Sequence, residues 1–113
     1  MKRLNPEYIR SDDRGTLTQI NTNTWEQVNL LEITAGKVFG GHYHKHKTEL
    51  FYVISGTIKI NGEIFEKGGI FLIEPMDMHT IEAIEDSVIV ELLSLPYDKN
   101  DIWANSTQGG ING

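Results

Sequence analysis

From Leu17 to Leu95 the chain passes through short clusters of Val, Ile, Leu, Phe and Tyr separated by Gly, Asn and Pro. It never holds the apolar spacing of an amphipathic helix for a convincing length, so the pattern predicts consecutive strands. They fall near Leu17–Ile20, Gln27–Ile33, Val38–His42, Leu50–Ser55, Thr57–Ile60, Glu63–Glu66, Ile70–Ile73, His79–Ile84 and Val88–Ser94. Asn61–Gly62, set between Ile58/Ile60 and Ile64, predicts a tight type I′ hairpin because both residues accept positive φ. Gly68–Gly69 and Pro75 punctuate the next strand. Many short strands joined by such turns make an all-β sandwich or barrel.

Phe51–Ile54 and Val88–Leu93 are apolar on both faces. One face fills the interior and the other needs cover, which predicts a homodimer unless end loops supply that cover. The pattern divides the chain into an N-terminal arm (1–15), a domain (16–95) and a C-terminal hook (96–113), whose end after Trp103 is expected to fray.

Composition removes several classes. With 113 residues, no cysteine and 39% hydrophobic residues, the chain makes one domain without a disulfide framework, cysteine zinc finger or iron–sulfur site. Its apolar stretches are too short to cross a bilayer and Met1–Arg10 lacks the apolar core of a secretory signal. A cytoplasmic protein with no membrane partner is therefore expected. A formal net charge of −6 opposes attachment to a phosphate backbone, so nucleic acid is not an expected partner either.

The candidate chemistry concentrates in residues 36–49. Side chains alternate along a strand, so His42 and His44 face one point, and Glu49 returns to it after a short bend. His79 is a fourth candidate, on a strand that also presents Ile81 and Ala83 with the same parity. Three imidazoles and a carboxylate suit one divalent first-row transition metal. Lys45 and Lys47 either draw an anionic substrate or are ordinary surface lysines.

Gly36, five residues, His42-x-His44, four residues, Glu49, six residues and Gly56 follow the spacing of the first motif of the cupin superfamily, which the chain resembles from about Thr34 to Leu93. The second motif is matched at Gly69, Pro75 and His79, with Asp77 where glycine is usual, a Pro-to-His interval one residue short, and Ala83 in place of the terminal asparagine. The resemblance implies a double-stranded β-helix, the RmlC-like jelly-roll barrel, holding one iron, manganese, nickel or zinc ion on His42, His44, Glu49 and His79. A frame built on His44 and His46 spoils the motif spacing, which leaves His46 either at the pocket rim or in a solvated turn.

Open positions on such an ion can polarise a carbonyl, stabilise an enediolate or lower the pKa of bound water. Asp12-Asp13-Arg14-Gly15 resembles the opening of sugar-nucleotide epimerases and ketoisomerases with cupin domains. Trp25–Val28 and Gly40–Lys45 are similar to cupin domains of bacterial surface-polysaccharide biosynthesis. The implied activity is an isomerase or epimerase acting on a sugar, sugar nucleotide or similar small oxygenated metabolite. The alternatives are an iron-dependent dioxygenase or related oxidoreductase and a noncatalytic small-molecule-binding or sensing cupin. His46 and Tyr52 are candidate catalytic groups, although Tyr52 has the opposite strand parity to His42 and His44. Arg14 and Tyr97 are candidate substrate contacts, Arg14 through its donor fork unless Asp12 or Asp13 occupies it.

Overall fold

A computed structural model describes residues 1–104. The strands in chain order are β1 (Lys2–Leu4), β2 (Tyr8–Asp12), β3 (Gly15–Gln19), β4 (Gln27–Ile33), β5 (Val38–Tyr43), β6 (Glu49–Ser55), β7 (Thr57–Ile60), β8 (Glu63–Glu66), β9 (Ile70–Ile73), β10 (His79–Ala83), β11 (Ser87–Leu93) and β12 (Trp103–Ala104). Among these residues there is no helix, and so none long and apolar enough to cross a membrane. Two five-stranded antiparallel sheets, ordered β1-β9-β6-β11-β4 and β12-β5-β10-β7-β8, form the body, and β2-β3 is a separate hairpin.

Alternation decides which side chains meet between the sheets. Phe51 and Val53 of β6, Phe71 and Ile73 of β9, Ile89 of β11, Ile58 and Ile60 of β7, Phe65 of β8 and Ile81 of β10 pack into one core. Phe51 stacks on Phe71 with ring centroids 4.6 Å apart. The β7–β8 turn has the predicted form: Ile60 pairs with Glu63, and Asn61 and Gly62 take φ of 47° and 87°.

The ends differ from the sequence expectation. β1 joins a body sheet through Lys2↔Leu72, and the β2–β3 hairpin runs across the expected arm boundary at 15/16, so the first fifteen residues are not a separate arm. These strands escape hydrophobic patterning because all of β2 and β3 is exposed. The hook ends as β12, paired with β5 through Trp103↔Tyr43. Of the tail expected to fray after Trp103, Ala104 belongs to β12 and residues 105–113 lie outside the described residues.

Candidate metal centre

The core fills one end of the body; the other end encloses a cavity of about 260 Å³ whose walls come from both sheets. β5 and β10 bring in the histidines. Their register shifts between His79 and Thr80, which face His42 and Gly40 respectively and leave Gly41 as the extra residue of a β-bulge. The bulge resets parity, so Phe39 and His42 both line the cavity although an odd number of steps separates them. It also requires close strands: Gly40 has φ of 103°, and a Cβ there would stand 2.5 Å from the His79 carbonyl oxygen.

His42, His44 and His79 are buried, and one nitrogen from each lies within 4.8 Å of the others. Glu49, at the start of β6, is buried beside two of them, with Oε1 2.7 Å from His44 Nε2 and 3.9 Å from His79 Nε2. The shorter approach lacks hydrogen-bond angles, leaving Oε1 without a hydrogen-bond partner; His42 Nδ1 is likewise buried and unpaired. Orphaned polar atoms at a cluster of nitrogen and carboxylate donors are what a cation site requires. At metal–donor distances of about 2.1 Å, adjacent ligand atoms on an octahedral ion stand about 3.0 Å apart and opposite ones about 4.2 Å. The separations from Glu49 fall close to these two values, so the residues fit a divalent ion.

Protonation favours the same chemistry. Burial, then the charges of His79 and His44, push His42 down to about 4, and burial likewise lowers His79. Both imidazoles are therefore neutral near pH 7 and have a lone pair to offer. Burial opposes ionisation of Glu49, but the approach of His44, a hydrogen bond from Glu91 and the charge of His79 outweigh it and bring Glu49 to about 2.

Neighbours orient these groups. His44 Nδ1 lies 2.6 Å from the Asp101 carbonyl oxygen. This fixes the tautomer with the proton on Nδ1 and leaves Nε2, the nitrogen nearer Glu49, with a free lone pair. The Asp101 carboxylate in turn accepts from the backbone amides of Lys45 (2.8 Å) and His46 (3.2 Å). The hook thus braces a histidine of the cluster.

Of the other catalytic and substrate-contact candidates, Tyr97 alone lines the cavity, with its side chain 59% exposed. His46 is exposed and absent from the lining, because β5 ends at Tyr43 and the following bend breaks the alternation that aligned it with His42. Tyr52 faces away from Glu49 on the opposite side of β6, between Val90 and Ile70. Arg14 lies at the exposed hairpin tip with its guanidinium on Asp12 (2.6 Å) and does not reach the cavity of its own chain.

Sequence reading missed a carboxyl group of the lining. Glu91 of β11 lines the cavity, accepts from Asn29 Nδ2 at 2.8 Å, and is raised to about 8 by burial and by its contact with Glu49. Its alternation with Ile89 and Leu93 was the available signal: a carboxylate on the inward parity of a core strand. Lys47, read as a surface lysine or an anion attractor, is buried and lines the cavity.

Residues 10–101 match the family model described as the polysaccharide biosynthesis C-terminal domain. Among solved structures the chain is similar to a mutant of the 3,4-ketoisomerase QdtA from Thermoanaerobacterium thermosaccharolyticum in complex with TDP-4-keto-6-deoxyglucose, with 21% identity, 90% of this chain and 86% of that chain covered, and a TM-score of 0.74. It is also similar to a 3,4-ketoisomerase from Helicobacter canadensis (17%, 95% and 92%, 0.81) and to the rmlC epimerase of Mycobacterium tuberculosis (17%, 88% and 66%, 0.76). No curated protein matches it. At these identities the structural likeness speaks for the fold, an RmlC-like cupin jelly roll. With the family model spanning most of its length, the chain belongs to the polysaccharide biosynthesis C-terminal domain family.

Proposed function

We propose that this protein is a metal-dependent isomerase or epimerase of a sugar, sugar nucleotide or similar small oxygenated metabolite. The observation that carries the reading is the convergence of His42, His44, His79 and Glu49, with two orphaned polar atoms, at the wall of one cavity. The solved relatives named above, ketoisomerases and an epimerase, favour this reaction class over oxidation or noncatalytic binding and sensing. One iron, manganese, nickel or zinc ion held by these four residues would supply Lewis-acid polarisation of a substrate carbonyl.

The chain's own groups do the rest. Glu91 is the carboxyl group lining the cavity beyond that cluster, Tyr97 adds a hydroxyl, and Asn29 holds Glu91 in place. Glu91, protonated at neutral pH, can give its proton to the substrate carbonyl oxygen and, as the carboxylate, take the proton leaving the adjacent carbon; the reverse pair of transfers, with the proton returned to carbon from Glu91 and the oxygen's proton returned to Glu91, completes the turnover. Phe39, Phe51, Ile81 and Leu93 line the same space and keep bulk water away from the reacting carbon.

The reading includes a homodimer. On the outer face of the β1-β9-β6-β11-β4 sheet, Val28 and Leu30 are 64% and 59% exposed, and they continue in register into Leu92 and Val90. A second copy on this face would cover them, as well as the outward side of β6 that carries Tyr52.

The test of the activity is deuterium wash-in. Protein reconstituted separately with each of the four metals is offered a panel of nucleotide-linked keto sugars and uronates in D₂O, and NMR follows exchange at the carbon beside the carbonyl. Exchange with conversion to an isomer supports the reading; saturable binding with neither, whatever the metal, removes the enzyme claim.

A further inference from the structure

Lys47 has no part in the chemistry described so far. It lies in the short connection between β5 and β6, whose other basic side chains, Lys45 and His46, are exposed. Lys47 alone turns inward, 5% exposed, and is the one lysine or arginine lining the cavity. Among the described residues it forms no salt bridge, and its closest aromatic neighbour, the Tyr97 ring, has its centroid 5.7 Å from Nζ, near the outer limit of a cation–π contact. Its Nζ is not fully enclosed and opens onto the cavity with no carboxylate of the described residues within salt-bridge distance, and proteins rarely direct a largely buried ammonium into a space where it has nothing to bind. Its charge is felt at His42, His79 and Glu91, where it opposes protonation, so it stands on the same space as the histidine cluster.

The size of the space limits what the ammonium can meet. A cavity of about 260 Å³ is smaller than the ~300–1,000 Å³ typical of sites for drug-sized ligands. It admits a group the size of one sugar ring, while any nucleotide has to remain at the mouth near Tyr97. The diphosphate then stays outside with the nucleotide, and the anion for Lys47 must belong to the enclosed part of the ligand.

We propose that Lys47 holds a carboxylate on the portion of the ligand that enters the cavity, so that the substrate of this site is an acidic sugar or a small hydroxy acid. This rests on reading the cavity as a substrate site, but needs neither the metal nor the isomerisation to be correct.

Calorimetric titration at pH 7.5, where His42 is neutral, separates these claims. D-Glucuronate, lactate, D-glucose and inorganic phosphate are titrated into zinc-loaded and chelator-treated protein, and into Lys47→Met and Lys47→Gln, with zinc stoichiometry and thermal melts as controls. Glucuronate or lactate should bind at least tenfold tighter than glucose or phosphate. The stronger of the two carboxylates identifies the sugar acid or the small acid as the source. Both variants should lose at least tenfold of that affinity in both metal states while keeping their melts and, when loaded, one zinc ion.

Unchanged carboxylate affinity in the folded variants overturns the proposal. So does a wild type that binds glucose equally well, prefers phosphate, or binds no carboxylate, and this ranking decides the matter even if neither variant folds. Lys47-dependent carboxylate binding without exchange in D₂O would instead remove the isomerase reading and leave the Lys47 site standing.

Discussion

Asp101 offers the sharpest test of how the site is built, because it acts on the cluster entirely from outside. Asp101→Ala deletes the two carboxylate hydrogen bonds to the amides of Lys45 and His46 and leaves intact the carbonyl that faces His44 Nδ1. A hydrogen bond to a charged group contributes about 1.5–3 kcal/mol. Both amides belong to residues with exposed side chains, so the low end applies, and the loss is about 3 kcal/mol for the pair. What remains to hold the hook is the His44 Nδ1 contact with the Asp101 carbonyl, the Tyr97 amide on Gln27 Oε1, the short β12 pairing and Lys45 over the Trp103 ring at 3.6 Å, an exposed contact contributing about 0.5–1 kcal/mol. The hook should therefore detach in a large fraction of molecules, and His44 should lose the acceptor that fixes its tautomer. Loss of such a supporting contact typically lowers metal affinity about 10–100-fold.

The assay is zinc competition against a chromogenic chelator, paired with urea unfolding of the metal-free protein. The structure predicts at least a tenfold loss of zinc affinity, with Asp101→Asn intermediate because its amide oxygen still accepts. An Asp101→Ala protein that unfolds earlier but binds zinc as tightly as wild type would refute the bracing of His44, leaving Asp101 a stability residue only.

Four further outcomes follow from the same geometry. Glu49→Gln should keep the fold and lose zinc affinity by more than tenfold, since an amide oxygen is a much weaker ligand than the carboxylate; equal affinity by competition titration would place the ion elsewhere. Gly40→Ala forces a Cβ to 2.5 Å from the His79 carbonyl at positive φ, so it should cost about 1–3 kcal/mol in urea unfolding and weaken zinc binding, as β10 moves away from β5. Glu91 has its folded pKa, about 8, above its ordinary value of 4.5, so its contribution is complete below pH 4.5 and is lost as pH rises through about 8. His42, lowered from 6.5 to about 4, adds its stability by pH 6.5, so metal-free wild type should lose stability between about pH 6.5 and 8.5 in urea melts while Glu91→Gln shows a smaller decline. Val28→Glu combined with Leu30→Glu should convert a dimer to monomer in sedimentation analysis without unfolding it, since both side chains point outward.

The body strands were legible because period-two alternation reports a half-buried sheet, and Asn61–Gly62 specified its turn chemically. The hairpin β2–β3 was not fully legible: with both strands exposed, no apolar face recorded its pairing. His42, His44, Glu49 and His79 could be read from motif spacing, yet parity misled at two neighbours. It aligned His46 with His42 and His44 although β5 ends before it, where the solvated-turn alternative holds, and it gave no hint that the Gly40–Gly41 bulge resets the count. Tyr52 failed for the opposite reason, since parity had already turned it away from Glu49. Glu91 and Asp101 stayed hidden because each acts through a partner distant in sequence, Glu49 and His44, and Lys47 could be named as an anion attractor but not as buried.

The central claim, that one ion is held where these four residues meet, is most directly tested by anomalous diffraction at a metal absorption edge, on crystals of protein purified without added metal. The account predicts a single strong peak about 2.0–2.2 Å from a nitrogen of His42, of His44 and of His79 and from a carboxylate oxygen of Glu49. A metal-replete crystal with no peak there, or with the ion bound while Glu49 and the histidines point apart, would contradict it.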